Sequence, residues 1–413
     1  MKGSNPISRG FQRKPKNHWL CWAVLCVASC GAAQQGQTGD AEPARDSPTQ
    51  LIPRTKEQRE ERYFAQHRLM LNVQVSDSSG KPVPGLKPED FSVLDEGQSK
   101  KIANFRAIDD GALARAHVLI VIDSLNNSSR GLAYERREIE RFLHSSGSTL
   151  PYPTSLISLS KSGDGRDREA TRDVNELLRE LGEMAKNLHP VDCLEDRRNA
   201  AMDAKSFVIN SADQGIAHQR EEAAEEMGAC LNERFTHSLA ALTGLARAQA
   251  DVPGRVILIW IGQGWPTLSG PHFTPDTPHL RQNHFDLLVQ LSTALREAQI
   301  TLDSLSWPEF GTDRKLDKLD LVALQRGTPT AAEATTSSLA LPVIAYQTGG
   351  QVFDREKGLA ADLARCFADA DSYYVLSIDS SPSANTDEYH HLTVTTTRPG
   401  LTVRAVTGYY AQP

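Results

Sequence analysis

The sequence predicts an α/β protein: a doubly wound, mostly parallel, Rossmann-like sheet, with a small β-sandwich built from strands at the two chain ends. Two observations carry this. Between residues 114 and 370, short continuous apolar runs alternate with amphipathic stretches at helical spacing, which is the signature of strands buried on both faces by crossover helices. Outside that region, on both sides, the pattern changes to short β-rich runs separated by turn-formers.

The central elements follow in order. His117–Asp123 (HVLIVID) is an apolar run ending in an acid, and Tyr134–Phe142 follows as a helix with Ile139, Phe142 and Leu143 on its apolar face. Ser155–Leu159 reads as a strand, Thr171–Leu188 as a helix, and Arg197–Ala250 as a long charged helical stretch, part of an insertion at about 190–250. Val256–Gly262 (VILIWIG) is the next buried strand; helix Phe285–Ala298 leads to strand Ile300–Leu305, and Leu341–Thr348 stops at Gly349-Gly350. Ligands of such sheets sit at the carboxyl ends of the strands, which places Asp123, Lys161, Gly262 and Trp307 at the rim of interest.

The flanks are β-structure. Residues 66–110 read as a β-meander with strands at Leu69–Val75, Phe91–Leu94 and Ile102–Phe105. So few short strands bury too little area to stand alone. Residues 371–413 supply the complement, with Tyr373–Ile378, His391–Thr396 and Leu401–Val406, and together the two ends predict one β-sandwich.

The N-terminal residues read as a targeting segment. Five cations (Lys2, Arg9, Arg13, Lys14, Lys16) and no acids precede or flank the run Trp19–Ala28, which is too short to span a bilayer but suits a secretory signal. Two cleavage sites compete: before Cys30, which would then be lipidated, or after Ala33. Residues 34–65 form a polar tether. The expected location is therefore outside the cytoplasm: periplasmic, anchored to the outer membrane through Cys30, or secreted. Three cysteines remain beyond the signal. An oxidising compartment permits a disulfide, and Cys193–Cys230 is the pair chosen because both lie in the insertion, leaving Cys366 as a thiol in an apolar helix.

The formal charge of the 413 residues is −7, and the chain is more acidic still without its basic leader. No basic stripe remains to neutralise phosphates, so neither nucleic acid nor an anionic membrane surface is an expected partner; a membrane enters only through Cys30. No Gly-x-Ser-x-Gly elbow, Walker loop or His-Glu-x-x-His is present, and the chain is expected to be no enzyme. A secreted enzyme of unknown reaction, its residues assembled across loops without a linear motif, is the alternative.

The segments "RLMLNVQVSDSSGKPVPGLKPEDFSVLDEGQSKKIANF", "AYQTGGQVF", "DADSYYVLSI" and "LTVRAVTGYY", with the order of the central elements, resemble exported bacterial proteins described as VWFA-related, which carry a von Willebrand factor A-type domain. The resemblance implies a protein-binding or scaffold module of the cell envelope. It also implies a metal-ion-dependent adhesion site at the sheet's rim, made of an Asp-x-Ser-x-Ser loop, a threonine and a further aspartate around Mg²⁺. Carried onto this chain, Asp123 matches the first aspartate, while Leu125 and Asn127 stand at the serine positions, Thr236 at the threonine, and Gln263 at the last aspartate. One carboxylate beside a leucine is a poor magnesium site, so no cofactor is expected and the site reads as degenerate. Asp123 then caps the following turn or accepts from loop amides. Trp260, Trp265 and Trp307 near the strand ends are either interface anchors or packing under the loops.

Overall fold

The computed structural model describes residues 68–108, 116–160, 163–164, 169–191, 214–250, 252, 254–265, 278–306, 327–334, 336–353, 358–370 and 372–411. The expected signal, tether and Cys30, and also Lys161, Cys193 and Trp307, lie outside these residues.

The centre is a mostly parallel sheet flanked by helices. Its strands are β5 (His117–Asp123), β6 (Thr149–Ser160), β7 (Gly163–Asp164), β8 (Thr171–Asp173), β9 (Val256–Gly262) and β10 (Ile300–Ser306). The order is β10-β9-β5-β6-β7, with β8 also on β6. Pairs β10–β9, β9–β5 and β5–β6 are parallel, whereas β7 and β8 meet β6 antiparallel. The chain leaves β5 toward β6 on one side and returns to β9 on the other. The switch point of the sheet therefore lies at the carboxyl end of β5, beside Asp123.

Side chains alternate across the strands and make two cores. Leu119, Val121, Leu258 and Trp260 face α3 (Gln214–Gln249), α4 (Pro278–Glu297) and α5 (Leu341–Gln347). Val118, Ile120, Ile122, Ile257, Ile259 and Ile261 face α1 (Ser129–Ser145), α2 (Val174–Ala185) and α6 (Leu359–Ala368). Burying each such side chain contributes roughly 1.5–3 kcal/mol, which explains why all seven residues of β9 are buried.

Two of the element boundaries that differ from expectation have a local cause. The predicted helix from Thr171 begins only at Val174, because Asp173 caps it by accepting from the backbone of Asn175 and Glu176, and Thr171–Asp173 is strand instead. Strand β6 starts six residues before Ser155 despite Pro151 and Pro153. These prolines are exposed at the sheet's margin, where the pairing with β8 jumps from Thr149 to Thr154, as missing ladder donors require. The helix of the insertion is described from Gln214.

The two chain ends interleave. The strands are β1 (Arg68–Ser76), β2 (Phe91–Asp95), β3 (Gln98–Lys100), β4 (Asn104–Ile108), β11 (Tyr373–Asp379), β12 (Glu388–Thr396), β13 (Thr402–Arg404) and β14 (Gly408–Ala411). They form two four-stranded antiparallel sheets, β13-β1-β11-β4 and β14-β12-β2-β3. The expected N-terminal meander is absent from these strands: β1 and β4 pair with β11, and β2 pairs with β12, so only β2–β3 is a local hairpin. One apolar cluster, including Leu69, Leu71, Val93, Leu376, Ile378 and Leu392, draws on both sheets. Tyr374 lies within it, donating to the Val83 carbonyl (2.6 Å) while accepting from Leu86 N–H (3.1 Å). A second polar group is enclosed at Asp95, which accepts from Tyr409 Oη (3.0 Å) and Ser381 N–H (2.8 Å), with His390 Nδ1 at 3.5 Å.

Asp369, just beyond α6, joins the strands of the chain ends to the central sheet. Arg404 of β13 grips both of its carboxylate oxygens at 2.6 Å. Its carbonyl accepts from Gln74 of β1 and from Arg255, which precedes β9, each at 3.0 Å. Arg255 is buried, lies 5.0 Å over the Tyr373 ring, and donates to Thr301. Asp303 of β10 is buried nearby; burial and the Asp369 charge push its carboxyl up to about 6, and it accepts from Gln351 N–H at 2.8 Å.

Removing one partner of a largely buried ion pair exposes the other's desolvation cost. Arg404→Ala is expected to destabilise the protein by about 2 kcal/mol, and Arg404→Lys to restore only part of that, because a single ammonium does not reach both Asp369, met by Arg404 Nη2, and the Gly349 carbonyl, to which Nη1 donates at 3.3 Å. Urea denaturation of the three proteins checks it; equal midpoints for Arg404→Lys and the unaltered chain would refute the role of the second donor, Nη1 on the Gly349 carbonyl.

Candidate functional site

The carboxyl end of β5 opens into the loop Ser124–Ser128, which runs into α1. Its conformation follows from local side chains. Asp123 Oδ1 accepts from the backbone N–H groups of Leu125 (3.1 Å) and Asn126 (3.2 Å), an Asx turn that reverses the chain after the strand. Ser128 then caps α1, its hydroxyl accepting from Gly131 N–H at 3.0 Å, as serine at this position commonly does. Ser124 holds the loop's start to β6, with both its N–H and its hydroxyl on the Leu159 carbonyl.

The second oxygen of Asp123 is also occupied. Oδ2 accepts from Asn126 Nδ2 (2.9 Å) and Trp260 Nε1 (3.3 Å). Asn126 Nδ2 reaches on to Ser238 Oγ of α3 at 2.8 Å. Asp123 is fully buried. Burial raises its carboxyl above the ordinary value, opposed by the Asn126 and Trp260 hydrogen bonds and by the charge of Arg234.

A second buried carboxyl stands beside it. Glu135, in the second turn of α1, accepts from Asn127 Nδ2 at 2.7 Å through Oε1, while Oε2 has no hydrogen-bond partner. Burial pushes Glu135 up to about 8, the Asn127 bond opposes this, and the neighbouring Asp123 charge adds to it. Two acids in a dry space do not both ionise readily, and Glu135, raised to about 8, keeps its proton near neutrality.

Close packing makes room for this network. A side chain at Gly131 would overlap Asn127 Oδ1, and one at Gly262 would stand 3.1 Å from Asp123 Cβ. Gln263 Nε2 donates to Ser128 Oγ at 3.2 Å, fastening the end of β9 to the cap of α1.

The expected site residues divide accordingly. Asp123, Asn127 and Gln263 belong to one polar cluster, although Gln263 touches Ser128 and not Asp123. Thr236 is exposed on α3 and stands outside it; Ser238, on the nearly opposite face of the helix, makes the contact. Leu125, at a serine position of the adhesion pattern, is buried in the core with Leu239, Trp260 and Trp265. Trp260 and Trp265 are themselves core, edge to face at 5.4 Å, which removes them as exposed anchors. Cys230 is disulfide-bonded; Cys193, its expected partner, lies outside the described residues. Cys366 is free and buried. Among the described residues no cluster of three or more His, Cys, Asp or Glu could hold a metal ion, and no helix is long and apolar enough to cross a membrane.

Sequence reasoning missed Asn126, Glu135 and Ser238. Glu135 shares a helical row with Ile139 and Phe142, and Ser238 shares one with Phe235, Leu242 and Leu245. A polar residue in an otherwise apolar row was the available signal.

No family model and no curated protein matches the chain. Among solved structures, it is similar to von Willebrand factor type A from Catenulispora acidiphila, at 9% identity, over 84% of this chain and 75% of that one, with a TM-score of 0.27. The mostly parallel sheet between helices is compatible with a fold of that type, but at this score the likeness carries no argument.

Glu135 stays protonated in the fold up to about pH 8, whereas the unfolded chain releases that proton above its ordinary value of 4.5. The fold therefore loses stability on this account as pH rises between those values, and no more beyond them. Glu135→Gln keeps the acceptor for Asn127 and removes the titration. It is expected to match the unaltered protein near pH 4.5 and to exceed it at pH 8 by on the order of 4 kcal/mol. Parallel stability profiles for the two proteins would sink the assignment.

Proposed function

We propose that this chain is a non-catalytic, protein-binding or scaffold module of the bacterial cell envelope, built on a von Willebrand factor A-type domain. In this reading the adhesion site has become a metal-free polar lock. One observation carries the proposal: four donors occupy both oxygens of the buried Asp123. Mg²⁺ requires near-octahedral oxygen ligands, and here the one aspartate of the pattern is already engaged, with Leu125 turned into the core.

The lock has a use in binding. It fixes the β5–α1 loop to β6, β9 and α3, so the rim of the sheet is a rigid platform, and preorganised surfaces lose less entropy on association. We also propose that the two antiparallel sheets are the β-sandwich expected from the chain ends, a reading supported by their common apolar cluster. The disulfide-bonded Cys230 and the basic-then-apolar N-terminal sequence support export. Cys30, as a lipidation site, would be the chain's only link to a membrane.

The Asp123–Glu135 pair favours a second reading, the secreted enzyme, since carboxyls with separated proton affinities are the stuff of acid–base catalysis. Both side chains are buried without exposure, out of reach of a substrate, and this reading ranks second.

Titration calorimetry with Mg²⁺ and Mn²⁺ tests the lock. The unaltered protein is expected to give no saturable heat, and Asp123→Ala to lower stability by about 3 kcal/mol through its orphaned donors while leaving the calorimetric trace unchanged. Saturable one-site uptake that disappears in Asp123→Ala would restore the metal-dependent mechanism.

A further inference from the structure

At the other end of the parallel sheet from Asp123, three cavities of about 360, 220 and 210 Å³ follow one another. The first lies between the ends of α3 and α4 and shares Ala250 and Glu297 with the second. The second shares Met70, Arg106 and Val375 with the third. They form one trough that passes from the helix ends onto the outward face of β1, β11 and β4.

Three side chains distinguish this face from an ordinary solvated one. Met70 is 44% exposed, one of two large hydrophobics so exposed among the described residues. Arg106 is exposed, lines two of the cavities, and has no ion pair among the described residues. Ser377, directly across from Met70 in the β1–β11 ladder, is 5% exposed with an unpartnered hydroxyl and lines the third cavity. A buried hydroxyl without a partner costs about 1–3 kcal/mol, which a ligand's polar group would recover.

Charge selects the occupant. The chain as a whole is acidic, at −7, yet among the described residues the charged ones of the third cavity are Arg68 and Arg106, and Glu297, which lines the other two, is paired with Arg296 at 3.7 Å. Arg68 is held by Asp379 at 3.0 Å, so Arg106 is the cation left for a ligand. Shape selects it too. The trough follows alternate residues Tyr373, Val375 and Ser377 along β11, a length of about 13 Å at the rise of a strand, which is four to five residues of extended chain in register with the sheet's own spacing.

We propose that this trough binds an extended acidic peptide segment of a partner protein. A carboxylate of that segment pairs with Arg106, an apolar side chain covers Met70 and Val375, and a polar group meets Ser377 Oγ. The surface is independent of the rim around Asp123, so the two can be tested apart.

The test uses fluorescein-labelled hexapeptides that alternate Asp or Glu with Leu or Phe, and Lys-containing counterparts, titrated by anisotropy. The acidic set is expected to bind the unaltered protein, and to bind Arg106→Glu and Met70→Glu at least about tenfold more weakly. Both substituted residues are exposed, and circular dichroism checks that the variants stay folded. Equal binding of acidic and Lys peptides, undiminished binding to Arg106→Glu, or no binding at roughly 1 mM peptide would each overturn the proposal. So would a concentration-dependent dimer abolished by Arg106→Glu, which would give the trough to a second copy of the chain.

Discussion

Two guanidinium groups and two carboxylates, enclosed where the chain-end strands meet the central sheet, are the constraint on which the rest of the arrangement depends. Arg255 and Arg404 face Asp303 and Asp369. An isolated charge in such a place costs several kcal/mol, so these four groups tolerate few relative positions. Their elements are β9, β10, β13 and the end of α6, and Gln74 adds β1 through the Asp369 carbonyl. Strands separated by some 300 residues in sequence are thereby drawn to one point. Apolar packing alone would let the antiparallel sheets slide, since hydrophobic contact is non-directional; the directional bonds of Arg404, to the Asp369 carboxylate and the Gly349 carbonyl, oppose that sliding.

The opposite end of the sheet solves a similar problem mainly with neutral donors, the charge of Arg234 adding to them. Asp123 is as deeply buried as Asp303, but neutral donors from its own loop and from Trp260 surround it. Glu135 takes the remaining burden by retaining a proton. Charge at one end is balanced, and charge at the other is solvated internally by amides and an indole. The difference has a functional side: a carboxylate so fully engaged fixes a loop well and binds an ion poorly.

Much of the central sheet was legible because doubly buried strands announce themselves. HVLIVID and VILIWIG are uninterrupted apolar runs ending in Asp123 and Gly262, and nothing but a covered parallel strand uses such a run economically. The chain-end pairing was legible only by elimination: the N-terminal strands were too short to stand alone, but their partners could not be read, since antiparallel register depends on contacts hundreds of residues apart. The start of α2 was obscured by strand and helix both accommodating Thr171–Asp173. At the site, Asp123, Asn127 and Gln263 lay close in pattern to the rim, whereas Thr236 stands two residues from the contact: in a helix 36 residues long, a two-residue offset rotates a side chain by about 200°. That rotation separates exposed Thr236 from buried Ser238.

The outward face of the β1–β11–β4 sheet follows from the same periodicity that builds its core. Because Leu69, Leu71 and Val73 point inward, Met70 and Asn72 must point out, and across the ladder Ser377 and Val375 join them. Period two dictates that some residues occupy this face; it does not dictate which. A strand kept merely soluble would carry Lys, Glu or Thr there. Ile108, Tyr373 and Val375 instead form a small apolar cluster of their own, with Arg255 stacked on Tyr373 and Arg106 directly across from Val375. The face is thus apolar at its base and cationic at its margin, and it rests on the same Arg255 that anchors Asp369. The side chain that donates to the Asp369 carbonyl thus also underlies this surface.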